Sequence, residues 1–283
     1  MAAHHVFWEL DWRLKLVVGA VIVAASLAVF RPPQKHPLRF AIALFGLELG
    51  TLVAVRGIVA ADGQRWWQFA VAYALVLIPG LFSVVVLNRL GWWRSAGFTP
   101  VRAWRSPQST VVLALTLALP LIGLSGHGVL TMTAGLLAFQ VAFLLLDVFM
   151  EETIYRGIVI RVLQPQGVIR ATLWSAVLFG LSHLDNLFLA GSEVGVLYQA
   201  FEATLLGVVF GAVRLRTNAI WPVMVAHALY DFILVLAYGH AVPVQPSIPG
   251  FVVVTTVNAA LAAGALALLR RSRPAAPGLE SAA

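Results

Sequence analysis

Long stretches of this chain carry almost no charge. Residues 14–30 and 111–124 are apolar runs of the kind that lipid surrounds, and similar runs recur as far as residue 269. In lipid no water is at hand, so a segment must satisfy its backbone N–H and C=O groups internally. Each run therefore reads as a helix and the chain as an all-α, polytopic transmembrane bundle. Composition points the same way, with 60 % hydrophobic residues, 11 % charged and a mean hydropathy of +0.90. A water-soluble domain needs roughly 25 % charged residues to cover its surface. A single soluble globule of 283 residues is thereby excluded.

Hydropathy places about nine spans, at 14–30, 38–60, 66–87, 110–124, 131–163, 170–189, 194–213, 218–238 and 250–269, with eight an admissible count. Turn chemistry separates them, as in Arg31-Pro32-Pro33, Ser125-Gly126-His127-Gly128 and Gln164-Pro165-Gln166-Gly167. The chain divides into N-terminal helices without a recognised motif (1–130), a core that holds the unusual polar residues (131–240), a last helix (241–273) and a disordered tail (274–283). There is no internal repeat. The first apolar run follows Arg13 and Lys15 as a signal peptide's would, but with so many spans behind it a retained helix is expected.

Lys and Arg outnumber Asp and Glu by 19 to 12. In a membrane protein this excess belongs to cytoplasmic loops rather than to nucleic acid. Alternating the spans puts Arg31, Lys35 and Arg39, the 89–105 loop, Arg156, Arg161 and Arg170, Arg214 and Arg216, and Arg270, Arg271 and Arg273 on one side. That bias gives an N-out, C-in topology in a cell membrane, most simply a bacterial inner membrane. The chain has no cysteine, so disulfides, thiolate metal sites and a Cys nucleophile are excluded.

An ionisable side chain deep in a bilayer costs at least about 2.5 to 3.5 kcal/mol and needs a partner or a purpose. Glu48, Asp147, Glu151, Glu152, Asp185, Glu202 and Asp231, with His183 and His227, all fall in or at the edge of spans. Three spans each present a spaced pair. Glu152 and Arg156 stand at i, i+4 and can form an ion pair, which turns the adjacent Glu151 elsewhere. Phe179 precedes His183 by one turn, and His227 precedes Asp231 by one turn. Counted from the cytoplasmic ends at 1.5 Å per residue, Glu151, His183, His227 and Asp231 share a level about 16–22 Å deep. The run 131–163 would be about 50 Å long as one straight helix, so it must tilt, break or project.

A carboxylate and an imidazole in a dry site can take a proton from water and deliver hydroxide to a carbonyl, while a second polar pair binds the developing oxyanion. Glu151 and His183 suit the first task, His227 and Asp231 the second. In order and spacing, Glu151-Glu152-x-x-x-Arg156, Phe179-x-x-x-His183 and His227-x-x-x-Asp231 resemble the motifs of the CPBP (CAAX protease and bacteriocin-processing, or Abi) family of intramembrane endopeptidases. The resemblance runs from about Phe149 to Asp231. It implies proteolysis within the bilayer, near the C-terminus of a membrane-associated substrate or beside its transmembrane segment. It also implies Glu151 with His183 as activators of water, His227 with Asp231 as the oxyanion site, and Glu152, Arg156 and Phe179 in support. Prenyl-protein proteases of the group have Asn where this chain has Asp231. An ionised Asp cannot donate to an oxyanion, so Asp231 must be protonated, orient His227 or help hold a metal. No cofactor is favoured. A zinc site made of Glu151, His183 and His227 is the alternative, without the HExxH of zincins.

Two competing readings come from outside proteolysis: a proton- or ion-coupled transporter, which would also gather buried acids and histidines, and a non-catalytic immunity or scaffold relative. Tyr230-Asp231 lacks the GxGD partner of intramembrane aspartyl proteases, and Ser182 lacks a GxSxG setting. The remaining polar residues are read as structural: Glu48 and Arg56, two turns apart on one span, as partners between helices, Glu202 and Asp147 as bonds across packed helices, and Asp185 and Asn186 likewise, with an entrance lining as their alternative. His4, His5, His36, His127 and His240 are expected in loops or termini. Substrate identity and oligomeric state leave no trace in the sequence.

Overall fold

The computed structural model describes residues 10–60, 66–100, 106–189, 192–239 and 247–271. His4, His5, Arg65, His240, Arg273 and the 274–283 tail lie outside the described residues. Helix follows helix: α1 (Trp12–Val29), α2 (Pro37–Ala60), α3 (Trp66–Leu90), α4 (Pro107–Thr116), α5 (Ala118–His127) and α6 (Ala134–Glu152). A π-helical stretch, Thr153–Val159, continues α6 into α7 (Ile160–Leu163) and a short 3-10 turn, Gln164–Gln166. Then come α8 (Val168–Ser182), a 3-10 turn over His183–Phe188, α9 (Glu193–Thr217), α10 (Trp221–Tyr238) and α11 (Ile248–Arg271). No strand occurs among the described residues.

All nine apolar runs fall on helix. Seven helical segments are long and apolar enough to cross a membrane, among them Trp12–Val29, Pro107–His127 and Ala134–Gln166. One is shorter than hydropathy suggested: α3 runs the full Trp66–Leu90, but α8 stops at Ser182, where the backbone tightens into the 3-10 turn. The 33-residue segment Ala134–Gln166 is not one uniform α-helix: a π turn directly follows Glu152 and a 3-10 turn closes it.

Local chemistry sets many helix ends. The side chains of Asp11, Ser106, Thr133 and Ser192 each accept a backbone N–H of the turn they open, satisfying one of a helix's four orphan donors. Pro107 and Pro222 occupy first-turn positions where a missing N–H costs nothing. Gly167, at φ 113°, makes the reversal into α8 that a residue with a Cβ would resist.

Small residues let helices approach without a hydrophobic drive between them. A Cβ on Gly19 would meet the carbonyl of Gly50 at 2.5 Å, and one on Gly50 the carbonyl of Gly19 at 2.7 Å, so α1 and α2 touch backbone to backbone. Gly180 and Gly207 do the same for α8 and α9, where an added Cβ would run into Ala200 and Thr204 or into Ala176. Two interior clusters result. One gathers Phe40, Leu44, Leu87, Tyr155, Ile158 and Phe179 from α2, α3, the π turn and α8. The other gathers Val209, Phe210, Val213, Val223, Met224 and Leu269 from α9, α10 and α11. The outward surface is apolar, with Val21, Leu81, Ile122, Leu145 and Val252 exposed. Water would penalise that surface, and acyl chains would not.

Candidate active site

The polar residues of α6, the π turn and α10 meet where the two clusters abut. Arg156, fully buried, lies with its guanidinium carbon 3.8 Å from the ring centre of Phe179 in one cluster and 5.4 Å from that of Phe210 in the other. Its Nη1 is 3.1 Å from Glu152 Oε1, the i, i+4 pair expected from spacing. The cation is thus held by one carboxylate and two aromatic faces, which suit a weakly hydrated planar guanidinium.

Glu152 does more than pair with Arg156. The same Oε1 stands 2.8 Å from His227 Nδ1, which ties the motif helix to α10. A carboxylate accepts, so Nδ1 donates, and Nε2 is left as the working nitrogen of the ring. That Nε2 is 3.4 Å from Asp231 Oδ2 and 3.7 Å from Glu151 Oε2. His227 is therefore the hub, with Glu152 behind it and Glu151 and Asp231 in front. The rings of Phe179 and Phe210 each stand 5.6 Å away, centre to centre, and fix its plane.

His183 also packs against Phe179, its ring centre 4.9 Å from that phenyl in a T-shaped contact. Its Nδ1 is 2.9 Å from the Phe179 carbonyl oxygen. A carbonyl only accepts, so Nδ1 carries the hydrogen and the neutral ring keeps its lone pair on Nε2, the state needed to accept a proton from water. Among the described residues no hydrogen bond or ion pair joins His183 to Glu151. Glu151 instead approaches His227, at 3.7 Å, which the sequence had grouped with Asp231 alone.

The π turn is stapled from the side. Ile160 N–H reaches back to the Tyr155 carbonyl across the wide turn, and Ser175 Oγ on α8 donates to the same oxygen at 2.8 Å. Tyr155 itself donates its hydroxyl to Glu48 on α2 and packs edge-on against Phe179. Such turns recur at functional sites, and here one directly follows the two glutamates.

Sequence reasoning paired Glu48 with Arg56. The structure separates them: Glu48 serves Tyr155, and Arg56 binds Asp185 and Asn186. Those two residues are buried in a polar cluster. Glu202 bonds across to α11 as expected, through Thr255 and Asn258. Asp147 is half-buried and makes no hydrogen bond among the described residues. Phe210 and the Glu152–His227 bond had no sequence signal, because rotation of one helix against another is set by packing. Among the described residues no three His, Asp or Glu side chains form a metal-ligating group.

Beside the site, between α6 and α10, an apolar cavity of about 450 Å³ is lined by Val148, Phe149, Met224, Ala228 and neighbours. Phe149 lies two residues before Glu151, and Ala228 follows His227.

Comparison with known proteins gives one family. Residues 133–233 match the model described as type II CAAX prenyl endopeptidase Rce1-like. The match covers α6 to α10 and hence every motif above, and it supports the CPBP, or CAAX protease, family of membrane endopeptidases. No curated protein and no solved structure matches the chain.

Proposed function

From a core of the CAAX-protease kind, we propose that the chain hydrolyses a peptide bond within the membrane, near the C-terminus of a membrane-associated substrate. Glu151 takes a proton from a water that His183 Nε2 helps orient, and the hydroxide adds to the scissile carbonyl. His227, held by Glu152 and carrying a proton on Nε2 toward Asp231, donates to the oxyanion. Glu151 then returns its proton to the leaving amine. The observation that carries this reading is the convergence of Glu151, Glu152 and Asp231 on a single buried imidazole. The apolar cavity next to it suits a substrate that brings its own hydrophobic stretch into the site.

The chemistry is proposed as metal-free and glutamate-type. The test uses the full chain in liposomes with two probes, a farnesylated peptide ending in a CAAX sequence and a reporter with one transmembrane segment. Cleavage of either by the wild type, abolished separately in Glu151→Gln and in His183→Ala with folding intact, is the expected result. Cleavage that survives both substitutions overturns it, as does ion flux lost in the variants with no cleavage at all, which would mark a transporter. One zinc per purified chain, removed by a chelator together with activity, would overturn the metal-free part.

A further inference from the structure

We infer that Arg56, on a helix that carries none of the motifs, positions His183 for the proposed hydrolysis. The inference rests on the role given to His183 above.

His183 does not lie within a regular helix. It is the first residue of the 3-10 turn His183–Phe188, at the point where α8 ends. A 3-10 turn has three residues per turn and poorer hydrogen bonds than an α-helix, so a six-residue run is rarely stable alone. Its first side chain points where the change of winding puts it. If α8 continued as α-helix, each following residue would rotate by about 100° instead of about 120°. Something outside the turn must hold it.

Three helices do so. Arg56 Nε and Nη2 reach Asp185 Oδ2 at 2.9 and 2.8 Å, and Nη2 also donates to Asn186 Oδ1 at 2.9 Å. Asn186 Nδ2 passes the connection on to Gln199 Oε1 of α9 at 3.0 Å. At the far end, Lys15 Nζ of α1 donates to the Phe188 carbonyl at 2.9 Å. Asp185 and Asn186 are buried, so these bonds are not diluted by solvent. The guanidinium fork makes Arg56 the strongest of the grips, because it engages two consecutive residues at once. Both follow His183 within three positions. On its own helix His183 is held by the Phe179 carbonyl at 2.9 Å, the Phe179 ring and a long 3.5 Å contact from Ser182 Oγ to the same Nδ1.

Arg56 and Lys15 both belong to helices outside the 133–233 match. The N-terminal helices thus take part in building the site.

The experiment measures cleavage kinetics on the full chain in liposomes together with the 15N imidazole signals of His183. Arg56→Gln is expected to lower kcat about 10- to 100-fold, the scale of a misplaced catalytic group, with KM nearly unchanged and the His183 signals shifted. Arg56→Lys, which keeps the charge and loses the fork, should fall between. The exchange Arg56→Asp with Asp185→Arg should restore part of the loss. Wild-type kcat in both single variants overturns the inference, and so does a loss of kcat that follows thermal unfolding while the His183 signals stay in place. His183→Ala separates the two levels. If it cleaves normally, the catalytic reading of His183 falls; if it is dead while Arg56→Gln is fully active, only the positioning role falls.

Discussion

Glu202 and the glutamates around His227 are both buried in this bundle, and they are finished differently. Glu202 on α9 has one oxygen taken by Thr255 Oγ1 at 2.5 Å and the other by Asn258 Nδ2 at 2.7 Å. Both donors are neutral and come from α11, so the carboxylate acts as a rivet between two helices. The group around His227 is not closed in this way. Glu151 has only a 3.7 Å approach to the imidazole, Glu152 Oε2 has no hydrogen-bond partner, and the Asp231 side chain is 22 % exposed. Groups that serve structure satisfy one another, whereas groups that must bind a substrate keep capacity in reserve. Burial by itself does not tell Glu202 from Glu151, but the partners of the two carboxylates do, two hydrogen bonds against one 3.7 Å approach.

Substitutions sharpen the contrast. The largest effect is expected for Glu152→Leu, which leaves Arg156 as an unpaired buried cation and frees His227. A loss of about 3–5 kcal/mol in stability, read by denaturant or thermal unfolding in detergent, should accompany loss of cleavage. Next comes Glu151→Gln, expected to cut cleavage by about 100- to 10,000-fold, the range of a general base, with the melting temperature unchanged. Loss of folding in that variant would make Glu151 a rivet as well. Gly180→Val pushes a side chain into Ala200 and Thr204 and should cost about 1–3 kcal/mol through α8–α9 separation. Gly264→Ala, with open space around it, is the matched control. The smallest change is expected for Glu202→Gln, about 1 kcal/mol for an altered hydrogen bond, with cleavage kinetics intact. A dead Glu202→Gln enzyme would erase the distinction between the two groups.

The apolar runs made the helices legible, because lipid leaves the backbone no other solution. The end of α8 was not legible. Leu184, Leu187, Phe188 and Leu189 continue the hydropathy past His183, and nothing in it marks the change of winding. The π turn announced itself only as excess length in 131–163. At the site the Glu152–Arg156 pair was readable from spacing, because it lies on one continuous helical segment. Partners on different helices were not. Glu48 chose Tyr155 and Arg56 chose Asp185, because those choices depend on how α2 is rotated against α8 and the π turn. Close backbone approach at Gly180 and Gly207 likewise fixes α8 against α9, and no spacing rule contains it.

The broadened coil over Thr153–Val159 implies that this stretch cannot be shortened harmlessly, even by one amino acid. Removing a single residue there would let an ordinary helix form, because a π turn is an α-helix carrying one residue more, and the helices on either side would keep nearly their present register. The side chains inside the stretch would shift instead, and Tyr155 and Arg156 could not both keep their bonds to Glu48 and Glu152. A one-residue deletion should therefore do more harm than most side-chain changes in the same seven positions, while the segment kept its full helical content.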